Sequence, residues 1–275
     1  MNEKIKMYTG TALSLSLLLT ILKTLCYLFC FDRAVGYLNN TFLVSLTNAI
    51  TWIGALWCVG ALLLIPKNSI DTRNQGSMPL VGGLLAAILV SASGAGLFVT
   101  NLLEKNELSL AGGTLLFAGS AFFWFSLTKL SPKALRCLAM VATLGFVSIL
   151  IVSHFDMFTA INSPLKMAIH LSAVSAVIML LAETRLLFGE KVARFSFVTK
   201  MLAALLCFPT SIGHLALYFA DKMPALSEQT TNVFFSLALL GVAIYSAIRL
   251  FAVTDAQDLA APEEVAEEEK EIEKN

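Results

Sequence analysis

HFDMFTAINSPLKMAIH, residues 154–170, joins two apolar runs that end and begin within it. The runs cover 135–155 and 164–184. Each reaches the roughly 20 residues that carry an α-helix across about 30 Å of hydrocarbon. Asn162-Ser163-Pro164 reads as a helix start. A side-chain oxygen of Asn or Ser accepts from the free N–H groups there, and proline in the first turn gives up no hydrogen bond. The segment is therefore a polar turn between two spans. That reading decides the fold, because the same pattern recurs along the whole chain.

Eight such runs are present, near 9–31, 42–66, 79–103, 109–129, 135–155, 164–184, 195–220 and 230–252. The chain of 275 residues is 57% hydrophobic and 14% charged, with a mean hydropathy of +0.78. Soluble domains carry about a quarter charged residues, so this composition excludes a soluble globular protein. Backbone polar groups in lipid must be paired within the segment, which makes the runs helices. The expected fold is an all-α integral membrane protein of eight transmembrane helices. The first run is too long for the apolar core of a signal peptide and is expected to stay as an uncleaved anchor.

Lys and Arg give the orientation, since basic residues are retained on the cytoplasmic side. With the N-terminus inside, 13 of the 19 fall in cytoplasmic segments and 4 (Arg33, Lys105, Lys166, Lys222) in outer ones, with Lys23 and Lys200 inside spans. Both termini are thus expected in the cytoplasm, and a cell membrane, bacterial plasma membrane by expectation, is the location. The chain divides into a transmembrane domain, 1–252, and an acidic cytoplasmic tail, 253–275. Residues 255–275 hold nine acids and two lysines, net −7, which balances a body of +7. Such a run reads as a mobile, solvated segment, or as a docking strip for a cytoplasmic protein partner. Nothing points to nucleic acid.

Short matches recur at offsets of 124 and 120: Phe31-Asp32 with Phe155-Asp156, and Ser126-Leu-Thr-Lys129 with Ser246-Ala-Ile-Arg249. They suggest a parallel 4+4 duplication with halves 1–130 and 131–252. Small residues in the third and fourth spans (Ser91–Gly96, Gly112, Gly113, Gly119) read as close packing faces.

The polar residues within spans carry the functional expectation. His154, His170 and His214 all lie toward the outer side, level with Asp32, Asp156 and Asp221. Lys23 lies eight residues from the outer end of its span, about 12 Å deep. Ionisable groups at that depth mark sites or water-filled cavities. Lys23, His154, Asp156, Lys166, His170 and His214 are expected to line one outward-facing vestibule for an anionic or zwitterionic solute. Pro209 and Gly213 are expected to loosen the seventh span and serve gating. Lys200 is expected to snorkel to the cytoplasmic boundary, and Glu183 and Arg185 to form boundary ion pairs across helices.

No H-E-x-x-H, nucleophile elbow, phosphate loop or dinucleotide fingerprint occurs. Lys166-x-x-x-His170 stands where a helix-borne histidine pair would be needed. No catalytic residue, metal ligand or cofactor is assigned. The five cysteines lie in apolar spans without C-x-x-C and read as packing residues. The functional expectation is a small permease or solute-binding membrane protein. The alternatives are a structural or sensory subunit working through its acidic tail, and a membrane-embedded metal-dependent hydrolase.

Overall fold

The computed structural model describes residues 2–32, 36–39, 41–65, 78–104, 106–126, 128, 130–156, 163–189, 192–223 and 229–272. The side chains of 253–272 are not among those described, so the reading of the acidic tail as mobile lies outside them. Asn162 lies outside them as well.

Eight helices follow in chain order: α1 Asn2–Cys30, α2 Phe42–Leu64, α3 Met78–Glu104, α4 Glu107–Phe125, α5 Pro132–Phe155, α6 Pro164–Leu187, α7 Ala193–Phe219 and α8 Gln229–Ile272. Each contains a stretch long and apolar enough to cross a membrane. A two-residue hairpin, β1 Phe31–Asp32 with β2 Tyr37–Leu38, links α1 to α2. Gly36 takes φ 75° at its turn, where a side chain would be strained.

The helix starts follow local chemistry. Thr41, Asn106, Ser131 and Ser163 each accept from the backbone N–H three residues on, the N-cap arrangement. Pro132 and Pro164 occupy first turns. The fourth span ends earlier than its apolar run. Ser126 closes α4, and the Ser126 and Thr128 hydroxyls donate to the carbonyls of Phe123 and Phe125, side-chain bonds that favour turn over helix.

Consecutive helices run antiparallel. We call the end carrying the start of α1 the near end and the opposite one the far end. Helices α3 through α8 pack each on the next, and α8 closes against α3. Their buried faces form the main core. α1 lies along α7 and α2 lies against both, with a second apolar cluster toward the near end. The halves pack differently: α1 lies along α7, while α3 and α5, the pair a four-helix repeat would superpose on them, make no comparable interface.

Small residues set the closest approaches. A Cβ at Gly94 in α3 would lie 2.6 Å from the Phe117 Cα of α4, and one at Gly119 in α4 would lie 2.7 Å from the Ala142 Cα of α5. Backbone cannot yield as a side-chain tip can. Gly94→Val and Gly119→Val should each cost about 1–3 kcal/mol by overpacking. Thermal unfolding of the purified variants in detergent measures this, and an unchanged midpoint would show that α4 is free to move outward.

Candidate functional site

Three groups of polar side chains lie among the apolar helices. The first joins α1, α6 and α7. Lys23 Nζ donates to Thr210 Oγ1 at 3.0 Å. Ser172 Oγ lies 2.8 Å from the same Thr210 oxygen and 2.9 Å from the Leu206 carbonyl. Below them, Ser175 and Cys207 meet at 3.5 Å. Lys23 finds no carboxylate among the described residues; its other neighbour is the Tyr27 ring, 5.8 Å from Nζ. Tyr27 packs on His214, ring centroids 5.4 Å apart, and its ring lies on Gly213, where a Cβ would come within 2.7 Å of it.

This group is short of partners. His214 is 1% exposed, yet neither ring nitrogen has a hydrogen-bond partner among the described residues. The buried Tyr27 hydroxyl and Ser211 Oγ have none either. Buried polar groups are normally satisfied, since an unmade bond costs about 1–3 kcal/mol. Among the described residues, the Tyr27 hydroxyl and both His214 nitrogens are thus left without partners near an ammonium that has no counterion.

Pro209 sits inside an unbroken α7. It lacks the N–H that the Leu205 carbonyl would accept. The carbonyls on either side of Leu205 are bonded from neighbouring helices: Ser16 of α1 donates to Ala204 at 2.8 Å, and Ser172 of α6 approaches Leu206.

The second group lies at the far end, between α5 and α6. Lys166 is 2% exposed, and its Nζ donates to the carbonyls of His154 (3.1 Å) and Asp156 (2.8 Å). It caps the C-terminus of α5. The His154 and His170 rings stand 6.3 Å apart; His154 is exposed, and His170 is half-buried with Nε2 unpartnered.

The six residues expected to share one vestibule therefore fall into two sets: Lys23 with His214, and His154, Asp156, Lys166 and His170 together. The geometry of α6 separates them. Ser172 follows His170 by two residues, about 200° around the helix, so the face turned to α7 is nearly opposite the face turned to α5.

The third group is at the near end. Glu183 of α6 is paired with Lys200 of α7, their side chains 12% and 5% exposed. Ser196 bridges them, donating to Glu183 at 2.9 Å and accepting from Lys200 at 2.5 Å. Tyr245 of α8 points its hydroxyl at the other Glu183 oxygen, 3.5 Å away, and Arg249 lies over the Tyr245 ring at 5.2 Å. Lys200 does not snorkel to the boundary: a buried acid on the next helix holds it inside. The expected cross-helix ion pair of Glu183 exists, with Lys200 as its partner.

Thr210, Ser172, Tyr27, Ser196 and Tyr245 were not marked in the sequence. Lys23-x-x-x-Tyr27 has the spacing of one helix face and was the available signal. The hydroxyls of α6 and α7 had none, being ordinary in apolar helices. Among the described residues, no three His, Cys, Asp or Glu side chains converge to hold a metal.

Fold and groups together define a class: an all-helical bundle with eight helices long and apolar enough to cross a membrane, and polar nests between them. Comparison with known proteins adds nothing finer, for no family model, curated protein or solved structure matches the chain.

Breaking a buried pair strands a charge, so Glu183→Leu or Lys200→Met alone should cost about 3–5 kcal/mol. The double variant Glu183→Leu/Lys200→Met should cost clearly less than the sum. A double-mutant cycle of unfolding free energies is the measurement, and additive losses would show that the pair contributes no coupling.

Proposed function

We propose that the chain is a multi-pass membrane protein that binds a small anionic or zwitterionic solute in the nest around Lys23, as a small permease does. The observation that carries this reading is the pairing of an ammonium that has no carboxylate among the described residues with His214, buried and bonded at neither nitrogen among them. A buried charge left without a counter-charge is costly, and a carboxylate or phosphate oxygen would meet Lys23, Tyr27 and His214 at once. A bilayer is the proposed surrounding. The near end, with Lys4, Lys6, Lys133, Arg136, Arg185 and Arg194, is the proposed cytoplasmic side, with both termini there. The far end then opens outward, and His154 and His170 flank its mouth. A bacterial plasma membrane is the proposed location.

Transport, where it occurs, needs α7 to move. Pro209 and Gly213 support that role: one removes a backbone bond, and the other lets the Tyr27 ring lie against the helix. A docking role for the acidic tail is the competing proposal, and it requires nothing of Lys23.

The two separate in one experiment. Purified protein is screened by thermal shift against a panel of small carboxylates and amino acids. At least one should raise the midpoint by several degrees, and Lys23→Gln should abolish the rise while deletion of 255–275 leaves it intact. Thr210→Val should weaken it about tenfold, the worth of one charge-assisted hydrogen bond. No stabilising compound in the panel, or an equal rise in Lys23→Gln, would overturn the solute-binding reading.

A further inference from the structure

The near-end group holds more positive than negative charge. Glu183 is a single carboxylate facing two cations, Lys200 and Arg249, and both act on it electrostatically. Lys200 is taken up by Glu183 and Ser196. Arg249 is half-buried, stacked on Tyr245, and its Nε is buried without a hydrogen-bond partner. Three residues earlier on α8, Ser246 is 0% exposed and its Oγ also has no partner. Residues at i and i+3 are neighbours on a helix surface.

Other basic side chains at this end already serve the backbone. Arg136 donates to the Leu187 carbonyl at 2.6 Å and stacks on Phe188, while Arg194 donates to the Ile65 carbonyl at 3.0 Å. Among the described residues, no carbonyl of this kind accepts from Arg249. Its guanidinium lies over the Tyr245 ring, and the Tyr245 hydroxyl is within reach of both Arg249 and Glu183, so the guanidinium is held in place before any ligand arrives.

We infer that Arg249, with Ser246, forms an oxyanion site at the near end of the bundle, built for a singly charged phosphate group. The guanidinium fork offers paired N–H donors that match two phosphate oxygens, Ser246 adds a hydroxyl, and the ligand's charge neutralises the surplus on Glu183, Lys200 and Arg249. The phosphate belongs either to a free solute or to a phospholipid headgroup. The site uses neither Lys23 nor His214, so it stands whether or not the solute nest does.

The test uses the full chain purified in a neutral detergent. One arm adds sodium phosphate against sodium chloride at equal ionic strength. The other compares nanodiscs of phosphatidylcholine alone with nanodiscs containing phosphatidylglycerol. The thermal midpoint should rise by about 2–4 °C in at least one arm, the size expected when ligand far exceeds its dissociation constant. A rise with free phosphate assigns the site to a solute, and a rise confined to phosphatidylglycerol assigns it to lipid. Arg249→Gln should remove the rise, Arg249→Lys should keep part of it, Ser246→Ala should reduce it, and Lys23→Gln should leave it whole. Glu183→Gln, which deletes the competing carboxylate, should enlarge the rise over its own baseline. No rise in either arm, or an equal rise in Arg249→Gln, would overturn the site.

Discussion

A polar group buried among these helices is costly unless it finds a partner within the protein. The backbone meets this internally except at helix ends, and there the chain uses its cations. Lys166 donates to the last carbonyls of α5, Lys222 to the Leu28 carbonyl near the end of α1, Arg136 to the end of α6 and Arg194 to the end of α2. Positive charge at a helix C-terminus also opposes the negative end of the helix dipole. Four basic residues are thus accounted for by structure. Lys23 and Arg249 have no such carbonyl among the described residues, which is why they stand out.

α7 is where these demands meet. It touches α1, α2, α6 and α8, and its buried face carries Ser196, Lys200, Cys207, Thr210 and His214 in turn. Its polar residues face two different helices: Lys200 faces Glu183 of α6, Thr210 faces both α6 and α1, and His214 faces Tyr27 of α1. Between Glu183 and Ser175 the α6–α7 seam is apolar, with Met179 and Ala203 fully buried. The near-end and central groups are therefore separate chemical environments on one helix.

The eight spans were legible because apolar length is a strong signal, and seven of the eight runs end within about four residues of their helices. One cap was legible too: Ser163-Pro164 announces its helix, whereas Ser131-Pro132, which caps α5 three residues ahead of its apolar run, was not picked out. The site was only half legible. Lys23, Gly213 and His214 meet around Tyr27, whereas His170 stands on another face of α6, beside His154 of α5. Depth along a helix can be read from residue number, whereas facing depends on which neighbours the helix acquires. Lys200 misled for the same reason, since its partner Glu183 lies 17 positions away on another helix.

The hydroxyls of Ser16 and Ser172 reach α7 from two helices, one on each side of the carbonyl that Pro209 leaves free. A hinge at this point is therefore fastened at two places. Any bend of α7 toward one of these helices would therefore have to part the hydrogen bond to the other.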